Sequence, residues 1–225
     1  MKATSLLSQH FVITLYIEII EMAGIPFSTR KTKNLNKQVY YLVGSSNFKG
    51  IANVREYPDD IFKKVKFQNW SEGGLSMKTG KNKYFLDYYN FKTFPKKGIL
   101  ILAKGSNHYQ NTNFHLYNTS FFISVFKLIQ MGISPKRIMV IAPYVRGSNQ
   151  NIYHHQKESV KNLIHHLKCI KIQTVNPFDH IDESFWGSTK TIFSKKQDMV
   201  HFSREIKILF HDMISDLIKK KSNQG

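Results

Sequence analysis

The feature that most restricts this chain is a set of three short apolar runs, residues 39–43 (VYYLV), 98–103 (GILILA) and 137–142 (RIMVIA), each bounded by turn-forming or basic residues. A strand with one wet face alternates apolar and polar side chains, and none of these runs does. Uninterrupted runs of this length, rich in β-branched and aromatic residues, are expected of strands covered on both faces. Two covered faces require helices on either side, and so parallel strands joined by helical crossovers. Weaker strand patterns at 64–69 and 171–175 bring the expected sheet to five strands. The fold class expected is therefore α/β, a three-layer α/β/α sandwich around a mostly parallel five-stranded sheet.

Helical spacing fills the intervals. Phe122, Val125, Phe126 and Ile129 mark one face of a helix over 114–131, with Gly132 as its terminator. A second helix is predicted over 151–167. A third, over 203–220, has Ser203 as N-cap, Ile206, Leu209, Phe210, Met213, Ile214 and Leu217 as its buried stripe, and lysines at the end that the helix dipole favours. Near the start, Leu7, Phe11, Leu15, Ile19 and Met22 repeat at helical spacing. That segment also carries Gln9, His10, Glu18 and Glu21, which argues for an amphipathic helix rather than a cleaved leader. No apolar run reaches the ~18 residues that span a bilayer. The expected organisation is one domain over 1–225, with 1–37 as N-terminal helix and basic linker and 219–225 as a basic tail.

Cys169 is the one cysteine of 225 residues, which excludes an intramolecular disulfide and fits a reducing, intracellular, cytoplasmic setting. Its place in the apolar run 167–172 suggests a small buried side chain. His154-His155 and His165-His166 lack the convergent ligands that zinc requires, so neither metal nor cofactor is expected. Thirty-three Lys and Arg against 15 Asp and Glu give a net charge of +18. Such a surface attracts nucleic acid or another polyanion. The competing explanation is a compositional preference for lysine with no partner behind it, since the lysines are spread along the whole chain.

In a parallel α/β sheet, chemistry sits at the carboxyl edge of the strands. The first strand runs into Gly44-Ser45-Ser46-Asn47, a turn that lifts a hydroxyl to that edge and starts a helix whose free N–H groups face it. The second strand is followed by Gly73-Gly74, the third by Gly105-Ser106-Asn107-His108. Asp198-Met199-Val200-His201 precedes the last helix, a spacing at which a carboxylate can orient an imidazole.

Taken in order, these four segments resemble the SGNH (GDSL-like) hydrolase superfamily, whose flavodoxin-like fold carries a Gly-Asp-Ser motif, a glycine, Gly-x-Asn-Asp and Asp-x-x-His at the same stations. The resemblance covers about 39–218, with 138–144 matching an apolar strand that ends in a proline-containing loop. It implies a catalytic set of Ser46 as nucleophile, His201 as general base and Asp198 as its orienting carboxylate. It also implies an oxyanion hole formed by Ser46, Gly74 and Asn107, with Gly73 as the alternative to Gly74. Ser45 and His108 replace the family's aspartates, which marks a divergent member and leaves the acyl and alcohol groups open. Asp179-His180 is the alternative pair, disfavoured by its adjacent spacing and the lack of a following helix. Trp70 and Trp186 are candidates for cleft lining or for local packing.

Two functions follow as expectations. The first is an esterase that hydrolyses a small-molecule or lipid ester, of acyl-ester or deacetylase type, through an acyl-enzyme on Ser46. The second is a basic nucleic-acid-binding module built on the same fold.

Overall fold

The computed structural model describes residues 38–55, 60–77, 84–104, 114–144, 150–181 and 201–223. The N-terminal helix expected near residues 6–23 lies outside them, as do Trp186, Asn107, His108 and Asp198. In chain order the elements are β1 (Val39–Gly44), α1 (Ile61–Lys64), β2 (Lys66–Asn69), α2 (Phe85–Tyr88), β3 (Gly98–Ala103), α3 (Phe114–Gln130), β4 (Ile138–Ile141), α4 (Gln150–Cys169), β5 (Gln173–Val175) and α5 (Arg204–Asn223). The strands form one sheet in the order β2-β1-β3-β4-β5, and all four neighbouring pairs are parallel.

Every residue of β3 and β4 is buried, as the unbroken apolar runs require. Gly98 opens β3 without a side chain because the Tyr41 ring occupies that space; a Cβ there would sit 2.8 Å from Tyr41 Cε2. Helix α3 packs on α4, whereas α5 packs on α1 and on a 3-10 turn at Ile51–Asn53. The sheet is thus an inner layer between helices.

Local chemistry sets the ends of these elements. Asp60 Oδ1 accepts the Phe62 N–H at 3.0 Å and caps α1, so β2 begins at Lys66 rather than at 64. Gly132 adopts φ 91 after α3, and the Ile133 N–H reaches back to Leu128 O at 3.2 Å. Helix α4 closes in the same way on Lys171, a non-glycine residue at φ 61, with Ile172 N–H on Leu167 O at 3.0 Å; this delays β5 to Gln173. Ser203 Oγ accepts the Ile206 N–H at 3.3 Å and caps α5. No helix among the described residues is long and apolar enough to cross a membrane.

Two expectations need correction. The chain after β1 forms a single 3-10 turn, Ser46–Phe48, and not a longer helix, because Gly50 at φ 71 interrupts it before the second turn at Ile51–Asn53. Cys169 is exposed: it ends α4 on the solvent side, next to exposed Lys168 and past buried Leu167. Its Sγ lies 3.9 Å from His165 Nε2.

Candidate active site

The turn at the end of β1 is shaped by a glycine that no other residue could replace without movement. A Cβ on Gly44 would lie 2.6 Å from Ser71 Oγ and 2.7 Å from Phe48 Cβ. The backbone therefore folds tightly against the segment after β2, and Glu72 N–H donates to Gly44 O at 3.1 Å. Ser46 follows as the first residue of the 3-10 turn, half-buried, where its own N–H has no acceptor within the turn.

His201 comes to this hydroxyl from 155 residues away: Ser46 Oγ and His201 Nε2 are 3.5 Å apart, at the long end of hydrogen-bonding range. Separations of this order between a nucleophile and its base are common without substrate and shorten on binding. Asn47 ties the two segments together: its buried side-chain oxygen accepts the N–H of Phe202 at 2.9 Å. Asn47 is one residue past the serine and Phe202 one past the histidine, so this bond links the two backbones next to the reactive side chains. Stacked Phe202 and Phe210, 5.2 Å between centroids, then tie that junction to α5.

No family sequence model matches the chain, and no curated protein matches it in sequence. Solved structures do. A lipase/acylhydrolase from Enterococcus faecalis superposes with a TM-score of 0.54 at 13% identity, covering 82% of this chain and 96% of its own. A GDSL-like lipase from Bacteroides thetaiotaomicron gives 0.54 at 14% identity over 92% of this chain and 98% of its own. This chain has the GDSL-like hydrolase fold. A family two carbohydrate esterase from Clostridium thermocellum, an active-site mutant in complex with celluohexase, shares it with a TM-score of 0.54 at 12% identity, covering 85% of this chain and 66% of that one.

Within this GDSL-like fold, the glycine beside the serine is Gly73. A Cβ there would touch Ser46 Cβ at 3.4 Å and lie 3.9 Å from Ser46 Oγ, whereas Gly74, at φ 73, has nothing within 4 Å of its Cβ position. The Gly73 N–H donates to Glu72 Oε1 at 3.0 Å. That carboxylate is also paired with Lys49 at 3.1 Å, and the ammonium first, then the Gly73 N–H, holds its carboxyl below the ordinary range. Behind the peptide, Lys104 Nζ donates to Glu72 O at 2.9 Å. Lys104 leaves the end of β3 along a small cavity bounded by Phe48, Tyr144, Phe202 and Phe210, and it is 2% exposed. Burial pushes its ammonium down to about 7.

Reading the sequence by motif missed Asn47, Glu72 and Lys104. Asn47 was in plain view inside the serine turn, but nothing along the chain signals a bond to residue 202. Lys104 adjoins the Gly105-Ser106-Asn107 stretch, and its only sequence mark is a lysine closing an otherwise apolar strand. The alternative pair divides: Asp179 accepts from Asn176 Nδ2 at 2.9 Å just past β5, and His180 is exposed. Trp70 packs locally, stacked on Tyr89 with centroids 6.0 Å apart. The described residues hold no cluster of His, Cys, Asp or Glu fit for a metal.

Proposed function

We propose that this protein is a serine esterase in which Ser46 is acylated and His201 is its general base. The observation that carries this is the 3.5 Å separation of Ser46 Oγ and His201 Nε2 at the carboxyl edge of a GDSL-like sheet. A serine hydroxyl is a poor nucleophile until a base accepts its proton. In the proposed course, Ser46 Oγ attacks the ester carbonyl as its proton passes to His201 Nε2, and the imidazolium then protonates the departing alcohol. Water, deprotonated by His201, attacks the acyl-enzyme and returns Ser46 free.

Asp198 is the proposed partner for the other ring nitrogen of His201. The tetrahedral oxyanion is assigned to the Ser46 N–H, to Asn107 and to a glycine N–H from 73–74. Proximity to Ser46 favours Gly73 over Gly74 for that last donor, and the Gly73 N–H would have to exchange Glu72 Oε1 for the oxyanion to serve. Each donor of this kind is typically worth about 100–1000-fold in rate. The names of the similar structures, lipases and a carbohydrate esterase, support an oxygen ester as substrate class.

The test is covalent labelling of the full chain by a fluorophosphonate together with turnover of p-nitrophenyl acetate. Wild type is expected to do both, and Ser46→Ala neither, with its circular dichroism unchanged. Labelling or turnover that persists in Ser46→Ala would remove the assignment.

A further inference from the structure

The sequence scatters its lysines, but the topology brings six of them to one edge. In an all-parallel sheet every strand begins at one edge, and the segments that lead into the strands meet there. Lys63 lies in the last turn of α1 and Lys66 opens β2, Lys96 and Lys97 lead into β3, Lys136 leads into β4, and Lys168 lies in the last turn of α4 before β5. All six are exposed, and none makes an ion pair with a described residue. The sheet order places them from the β2 end to the β5 end, four strand spacings or about 19 Å.

This edge is built, not merely decorated. Arg137 Nε donates to Gly98 O at 2.8 Å, its Nη2 donates to Pro95 O, and its guanidinium covers the Phe94 ring at 5.4 Å. That clamp fixes the turn bearing Lys96 and Lys97 to the turn bearing Lys136. Helix α5 returns to the same edge, where Ser222 Oγ is 3.5 Å from the hydroxyl of Tyr40 near the start of β1. There, burial and the neighbouring Lys136 charge both push Lys221 down. Of the described residues at the opposite edge, Lys49 pairs with Glu72 and Lys104 is buried.

We propose that the amino edge of the sheet, remote from Ser46, is a nucleic-acid-binding surface that holds backbone phosphates without reading bases. A row of exposed ammonium groups without described acidic partners, carried on turns that Arg137 clamps, matches a polymer of regularly spaced negative charge. An anionic bilayer is a poorer match, because binding at a membrane surface also inserts apolar side chains. The large apolar side chain exposed among the described residues is Tyr88, which packs on Tyr89 beside Trp70, past the other end of β2. An edge of about 19 Å spans roughly five base-pair rises, enough for four or five phosphate contacts and a log–log salt slope of about −4.

The experiment is fluorescence anisotropy of a labelled mixed-sequence duplex DNA and of a single-stranded RNA of equal length, titrated with the full chain between 50 and 200 mM salt. Three proteins are compared: wild type, the edge triple K96Q/K97Q/K136Q, and a control triple K157Q/K161Q/K207Q with the same change in net charge on helices α4 and α5. Wild type is expected to bind at least one probe with a slope near −4. The edge triple should lose about three units of that slope, and the control triple should stay close to wild type. Ser46→Ala should bind as wild type does, which separates this surface from the esterase assignment. Equal losses in the two triples would show bulk charge at work and overturn the proposal. So would absence of binding by wild type at 50 mM salt, or binding confined to phosphatidylserine vesicles.

Discussion

Lys104→Met is the substitution whose outcome can be worked out furthest. The folded chain releases the Lys104 proton near pH 7, since burial against Phe48, Tyr144, Phe202 and Phe210 penalises the ammonium, whereas the unfolded chain holds it to about 10.5. Below pH 7 both states are protonated and folding carries the whole penalty of a buried charge. Between pH 7 and 10.5 the unfolded state binds more protons, so this group's contribution to stability improves as pH rises. A gap of that size corresponds to roughly 4–5 kcal/mol. Methionine removes the ammonium but also the donor to Glu72 O, a loss of about 1–3 kcal/mol. The variant should accordingly be more stable than wild type at pH 6 by about 1–4 kcal/mol and less stable at pH 10. Their difference should change by about 1.4 kcal/mol per pH unit between pH 7 and pH 10 and stay flat below pH 7. Urea unfolding of both proteins at pH 6, 8 and 10 measures this directly. A difference that stays constant across the three pH values would refute the claim that an ionisable amine is buried there. In the same proteins, loss of the hold on the 72–73 peptide should lower esterase kcat by about 10-fold.

Two other substitutions test the scaffold. Asn47→Ala strands the buried Phe202 N–H and should cost about 1–3 kcal/mol, with kcat falling more than KM changes; Asn47→Asp keeps the acceptor and should restore most of the rate, and an equal loss in both would deny the positioning role. His211 faces Asp60 Oδ2 at 2.9 Å and Asp212 Oδ1 at 3.2 Å, with the Asp60 side chain 2% exposed, so His211→Ala should lower stability by about 3 kcal/mol in urea melts. The esterase rate per folded molecule should be unchanged in that variant, because the pair joins α5 to the cap of α1 and not to the serine turn; a melt within 1 kcal/mol of wild type would contradict the account.

Sequence alone determined the kind of protein this is. Runs such as GILILA have no polar member to place in water, so they dictate strands covered on both sides, and stripes such as Phe122, Val125, Phe126 and Ile129 dictate the covering helices. Ends that depend on adjacent residues were also legible, such as Gly132 after α3 and Ser203 before α5. Ends that depend on a backbone choice were not: Lys171 enters the left-handed region where glycine is the usual occupant, and Gly50 cuts short the turn after Ser46. Only the tertiary structure decided which distant groups meet. It set Ser46 against His201, selected Gly73 over Gly74 as the neighbour of the hydroxyl, and buried Lys104 behind the 72–73 peptide. It also brought six lysines that are dispersed along the chain to a single edge, because parallel strands all start on the same side. Local pattern records what each residue prefers for itself; proximity between residues 155 apart is a property of the packed sheet.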